Sequence, residues 1–240
     1  MTQKLHILAF AAHPDDVELC AAGTLLKHVD MGYKVGLIDL TRGELGTRGN
    51  AELRLQEARA SADLLGIEVR ENLGMDDGFF VNDKEHRIAI ARIVRKYRPD
   101  VVLANAVKDR HPDHGRAAQL VTEGCFVAGL IKVPTEMDGK PQERWRPRAI
   151  YHYIQDYKLQ PDLCVDVTPY MQKRMDAIKC FKSQFYDPNS DDPDSPISGK
   201  DFMDLILAAA RVYGRPIGAE FGEGFTVARP IGVEDLTRLL

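Results

Sequence analysis

Two short segments hold most of the residues in this chain that could do chemistry together: His13-Pro14-Asp15-Asp16 and Arg110-His111-Pro112-Asp113-His114. Two imidazoles and one carboxylate leave a fourth position open on a zinc ion, and that position holds a water whose pKa falls to about 7. A surplus carboxylate can take the water's proton, and a surplus histidine can donate to a developing oxyanion. Spacing alone leaves open whether Asp15 or Asp16 is the ligand, and whether His111 or His114 is. The competing reading makes His13 to Asp15 an ordinary helix start, with Pro14 in the first position and acidic residues favoured by the helix dipole. His111 and His114 would then belong to a polar loop. Two such segments, each directly after an apolar run, favour the metal site.

Two rivals use the same residues. Two histidines and a carboxylate also form the facial triad of a non-haem iron(II) oxygenase, and iron(II) suits these ligands as zinc does. A sugar- or nucleotide-binding module would use the segments only as caps and turns, but the first strand is not followed by G-x-G-x-x-G, so a dinucleotide site is disfavoured.

The elements that must position these groups alternate. Apolar runs over 5–12, 34–41, 67–73 and 100–106 predict strands, and helical spacing predicts helices over 17–29, 51–65, 83–98 and 115–131. Gly66 and Pro99 fall where the second and third helices must stop. This alternation predicts an α/β, Rossmann-like fold: a mostly parallel, doubly wound sheet with helices on both faces, in three layers. Ligands bind outside the carboxyl ends of such strands, where both segments fall. Further on, strands are expected over 149–154 and 163–167, and helices over 171–185 and 201–213. Between those helices, 187–200 reads as a Pro-, Ser- and Asp-rich loop long enough to be functional, and a Gly-rich tail containing GEGF follows.

The 240 residues suit one α/β domain over 1–240, with 44% hydrophobic and 28% charged residues. A formal charge of -4 and a pI near 6.0 give no basic field for nucleic acid. No apolar stretch approaches the ~18 residues of a membrane span, and the start MTQKLHILAF lacks a signal peptide's long apolar region and cleavage site. The expectation is a cytoplasmic protein. Cys20, Cys125, Cys164 and Cys180 form no C-x-x-C pair and are expected as buried thiols.

The strings AAHPDDVELCAAGTL, LTRGELGTRG and DRHPDHGRA resemble the PIG-L/LmbE-like family of zinc-dependent N-acetylglucosamine deacetylases over nearly the whole chain. The resemblance implies that His13, Asp16 and His114 bind zinc, that Asp15 is the general base, and that His111 stabilises the oxyanion with Asp113 orienting it. ENLGMDDGFFVNDKEH, RPRAIYHYI, FKSQFYDPNS and EGFTV resemble the branch that removes acetate from N-acetylglucosaminyl malate in bacillithiol biosynthesis. A malate group brings carboxylates that guanidinium groups suit, with Arg54 and Arg110 as candidates. Glu44 is expected either to meet sugar hydroxyls or to hold its loop. Where some family members use a mobile Tyr, this sequence offers Phe202, with Tyr186 as a weak substitute. The resemblance also implies a small-molecule N-acetylglucosaminyl substrate and a homo-oligomer, hexamers among the forms.

Overall fold

The computed structural model describes residues 4–239. The first three residues of MTQKLHILAF, read above for leader features, lie outside the described residues.

The chain begins with β1 (Ile7–Ala11), α1 (Asp16–Cys20), α2 (Ala22–Asp30), β2 (Val35–Thr41), α3 (Ala51–Leu65), β3 (Val69–Met75), α4 (Lys84–Tyr97), β4 (Val101–Ala104) and α5 (Pro112–Ala128). It continues through a small hairpin of β5 (Glu136–Met137) and β6 (Lys140–Pro141), then β7 (Ala149–Tyr153), β8 (Leu163–Asp166), α6 (Met171–Ile178), α7 (Lys200–Gly214) and β9 (Gly222–Val227). One sheet runs in the order β3-β2-β1-β4-β7-β9-β8. Its first five strands are parallel, whereas β9 runs antiparallel to both β7 and β8.

The expected three-layer, mostly parallel α/β/α fold is therefore present. Every residue of β1 and β2 is buried, as a sheet covered on both faces requires. Leu8 and Phe10 of β1 pack with Ile90 and Val94 of α4 and Leu120 and Val121 of α5. Ile7, Ala9 and Ala11 point the other way, to Val17, Ala21 and Leu25. A Cβ on Gly124 would lie 2.5 Å from Ile90 Cβ, so a glycine lets α4 and α5 close on each other. Local signals end the helices as read: Asn50 accepts from Leu53 N at 2.9 Å to start α3, and Gly66, at φ 72°, stops it.

Several boundaries differ from the expectations. The helix read over 17–29 is two helices broken at Ala21, because Glu223 of β9 accepts the Gly23 and Thr24 amides at 2.9 and 2.7 Å and so begins α2 afresh. The helix read from 115 starts at Pro112, with His111 as its cap. The helix read over 171–185 ends at Ile178, beyond which Phe181 and Phe185 both turn into the core and Glu57 holds Ser183 N and Oγ at 2.8 and 2.7 Å. The Gly-rich tail is β9, and Asp138-Gly139, both at positive φ, turn the β5–β6 hairpin.

The chain steps outward from β1 through β2 to β3, then crosses back to lay β4 on the other side of β1. That reversal opens a crevice at the carboxyl ends of β1 and β4.

Candidate active site

His13 leaves β1 directly into this crevice, and Asp16 opens α1 beside it. His13 Nδ1 lies 3.7 Å from Asp16 Oδ2, and His114 Nε2, from α5, lies 3.1 Å from Asp16 Oδ1. The other nitrogen of each ring is held by a carboxylate: His13 Nε2 by Asp77 Oδ1 at 3.0 Å and Asp113 Oδ2 at 3.3 Å, His114 Nδ1 by Asp109 Oδ2 at 2.6 Å. This is how metal-binding imidazoles are oriented, the outer nitrogen held by a carboxylate and the inner one turned toward the ligand carboxylate, here Asp16. Asp16 is fixed in turn. Asn105 Nδ2 donates to its Oδ2 at 2.9 Å and Gln155 Nε2 to its Oδ1 at 3.0 Å. Burial alone would raise the Asp16 carboxyl, but His114 and His13 outweigh it and keep the group well below the usual carboxylate range. Burial would lower both imidazoles, yet Asp113 and Asp77 raise His13 to about 10, and Asp16 and Asp109 raise His114 to about 9.

Asp15 is backbone-strained, with φ 143° and ψ -21° in a residue that is not glycine. Such conformations cost about 1–3 kcal/mol and persist only where the surroundings hold them. The holding group is Arg54 of α3, whose Nη1 donates to Asp15 Oδ2 at 2.7 Å and to Pro14 O at 3.0 Å. Asp15 makes no side-chain cap to α1. Burial pushes its carboxyl up to about 7 despite Arg54, a range suited to a base at neutral pH.

His111 faces the same space. Its ring centroid is 4.6 Å from that of His13 and 5.1 Å from that of His114, and one nitrogen of each of the three rings falls within 4.8 Å of the others. Burial, and then His13 and His114, lower its pKa, which favours the neutral imidazole. Its ring accepts from Asp113 N at 3.3 Å, while the Asp113 carboxylate turns to His13, Gly78 N and Arg116. The Asp113 side chain thus meets His13, and only its backbone meets His111.

A cavity of about 360 Å³ is lined by His13, Asp15, Asp16, His111 and His114 and runs on beneath α7. The profile of the PIG-L family, described as GlcNAc-PI de-N-acetylase, matches residues 8–125, which span both histidine segments. Diacetylchitobiose deacetylase of Thermococcus kodakarensis is 30% identical, over 91% of this chain and 81% of that protein. This chain belongs to the PIG-L family. Among its relatives, 4-oxalmesaconate hydratase of Pseudomonas putida is 26% identical over 76% of this chain and 75% of its own. A probable N-acetyl-alpha-D-glucosaminyl L-malate deacetylase of Bacillus anthracis is also 26% identical, over 77% and 84%. The crystal structure of a conserved protein from Thermus thermophilus superposes with a TM-score of 0.86 at 32% identity, covering 98% of this chain and 99% of that one.

Within this PIG-L site the remaining sequence-predicted residues take distinct places. Arg54 lines the cavity, with Nη1 committed to Asp15 and Pro14. Arg110 also lines it, with its side chain 44% exposed and its Nε on Asp156 Oδ2 at 2.6 Å. Glu44 holds its loop: Oε1 accepts from Asp77 N and Oε2 from Arg42 N. Phe202 lines the cavity, and Tyr186 is exposed. Of the four cysteines only Cys125 is buried, and half-buried Cys20 lines the cavity. The 187–200 loop contributes Ser195, Pro196 and Ile197 to the cavity wall, and Arg48 ties it down through Ser190. Sequence reasoning missed Asp77, Asn105, Asp109 and Gln155. All four follow the carboxyl ends of β3, β4 and β7, so the rule that drew attention to the two histidine segments would have found them.

Proposed function

We propose that this PIG-L protein is a zinc-dependent hydrolase that removes acetate from N-acetylglucosamine derivatives. The observation that carries the reading is the convergence of His13, Asp16 and His114, with the outer nitrogen of each histidine held by a carboxylate and both Asp16 oxygens held by amides. Two imidazoles and a carboxylate fit a catalytic zinc by donor chemistry. His111, within the same cluster, is a further nitrogen that ligand analysis must tell apart from Asp16.

A metal bound there supplies a more acidic water and a polarised carbonyl. The protein's own groups do the rest. Asp15, on the cavity wall and fixed by Arg54, takes the proton of the attacking water. His111, as the neutral imidazole, donates a hydrogen bond to the tetrahedral oxyanion, and Asp15 passes the proton it took from water to the departing amine. Asp77, Asp109, Asn105 and Gln155 orient the ligand groups.

The finer reading is N-acetylglucosaminyl malate as substrate. It rests on the motif resemblance, on the Bacillus anthracis relative and on cationic Arg110 and Lys158 in the cavity lining. Diacetylchitobiose is the competing substrate, from the Thermococcus relative. The same reading carries a cytoplasmic location and a homo-oligomer, checked by fractionation and by light scattering on the purified protein. Among the described residues no helix is long and apolar enough to cross a membrane.

A second reading has its own support: the hydratase relative implies that this fold also serves water addition to a carbon–carbon double bond. Acetate release from both amides, measured with chelator-stripped protein before and after zinc is restored, separates these readings. Zinc-restored release, faster from the malate conjugate, supports the deacetylase and the branch. Equal or faster release from diacetylchitobiose removes the malate assignment. No release, together with hydration of 4-oxalmesaconate, replaces the deacetylase with the hydratase.

A further inference from the structure

Gln155 follows β7 and lies on the wall of the same cavity as Asp15, His111 and His114. The residue is only 5% exposed, and its neighbours dictate which way its amide faces. Oε1 accepts from Asn105 Nδ2 at 3.1 Å and from Ala106 N at 3.0 Å, so the NH2 group is the end turned to the ligand residues. Asn105 is oriented in the same way, its own Oδ1 accepting from Ala12 N at 2.9 Å. Lys158 Nζ fixes the Gln155 backbone as well, donating to its carbonyl at 2.6 Å.

The two amides differ in one respect. Asn105 Nδ2 gives one N–H to Asp16 Oδ2 and the other to Gln155 Oε1, so both are committed to oxygens. Gln155 Nε2 gives one N–H to Asp16 Oδ1 at 3.0 Å, and its other contact is His114 Nε2 at 3.3 Å. An imidazole nitrogen has a single lone pair, and a nitrogen that coordinates zinc has none left to accept a hydrogen bond. In the zinc-loaded enzyme the second N–H of Gln155 therefore needs another acceptor, and leaving a buried donor unpaired is costly. A donor beside two ligand atoms borders the place that the polarised carbonyl oxygen must take.

We propose that Gln155 Nε2 is a second donor to the tetrahedral oxyanion, beside His111. The inference rests on the amide-hydrolase reading above and adds a catalytic residue to it. As the water oxygen bonds to the acyl carbon, the π pair of the carbonyl moves onto its oxygen, and Gln155 donates a hydrogen bond to the charge formed there. The pair returns when the C–N bond breaks. Gln155 stays neutral throughout and gives up no proton. Because the charge exists only after attack, this contact is stronger in the transition state than with bound substrate, and it acts on kcat more than on KM.

The test compares wild type with Gln155→Met, which keeps the length of the side chain and removes the donor, both as full-length protein at saturating zinc. Acetate release from N-acetylglucosamine should fall about 10²–10³-fold in kcat with KM nearly unchanged. A methylphosphonamide of glucosamine, whose tetrahedral phosphorus copies the intermediate, should lose affinity by a similar factor in calorimetry, while the product glucosamine binds as before. In crystals of the zinc-loaded wild type with that analogue, Gln155 Nε2 should lie about 2.7–3.2 Å from a phosphonyl oxygen. The crystal decides even if the variant does not fold. A variant that binds zinc more weakly but keeps wild-type kcat at saturation makes Gln155 a positioning residue only and overturns the proposal. Equal losses for analogue and product, which mark a contact to the sugar, overturn it as well, as does a crystal in which Nε2 meets no phosphonyl oxygen. Each of these leaves the deacetylase intact, whereas no acetate release from any amide by the zinc-loaded wild type overturns both readings.

Discussion

The same three letters, His-Pro-Asp, fold in two different ways in this molecule. At 111–113 they make an ordinary helix start: His111 caps α5, Pro112 takes the first position, and backbone angles are relaxed, with φ -79° at the cap. At 13–15 they do not. Asp15 stands at φ 143°, caps nothing with its side chain, and leads into a helix of only five residues. Folding gains nothing evident from the second arrangement, so its cause lies in what Arg54, His13 and Asp16 hold around it. Being a helix cap and facing the active site are also compatible, since His111 does both. The strained segment is thus the stronger pointer to chemistry, and the relaxed one shows how a site borrows an existing element.

The contrast predicts unequal losses. Asp15→Asn removes the base and lowers kcat by about 10²–10⁴-fold while zinc content, read by atomic absorption, stays near wild type. Unchanged kcat would put the base elsewhere. His111→Ala lowers kcat by about 10²–10³-fold through the lost oxyanion donor. If His111 is instead a ligand, zinc content falls with it, which the same assay reads.

Asp109→Asn and Asp77→Asn leave the ligands in place but weaken their orientation, so zinc affinity in chelator competition drops about 10–100-fold. An unaltered affinity would make these carboxylates bystanders. The smallest effect is on stability. Loss of the cap in His111→Ala costs about 1 kcal/mol, read as a shift in the urea midpoint of the stripped protein. A loss of several kcal/mol would mean that the second segment is under as much tension as the first.

Much of the fold was legible because its strands are short apolar runs closed by Gly, Pro or polar residues. The runs over 5–12, 34–41 and 100–106 contain β1, β2 and β4, and Gly66 stops α3 as expected. What was not legible depends on partners distant in sequence. The break at Ala21 needs Glu223, some two hundred positions later, to cap α2. The early end of α6 needs Glu57 of α3 to hold Ser183. β9 was hidden because two glycines interrupt GEGFTV; a side chain at Gly222 would collide with the Tyr213 backbone, and one at Gly224 would crowd the Tyr213 ring. At the site, the two histidine segments stood out by composition. Asn105 and Gln155 did not, because an isolated amide after a strand has no pattern until the sheet places it over Asp16.

The most direct test of the ligand assignment is anomalous diffraction at the zinc edge from crystals of the zinc-loaded protein. A single peak bonded to His13 Nδ1, one Asp16 oxygen and His114 Nε2, with Asp15 and His111 beside it but unbound, is the predicted result. A peak held by His13, His111 and His114 with Asp16 turned away, or one lodged between His13, Asp77 and Asp113, would contradict it.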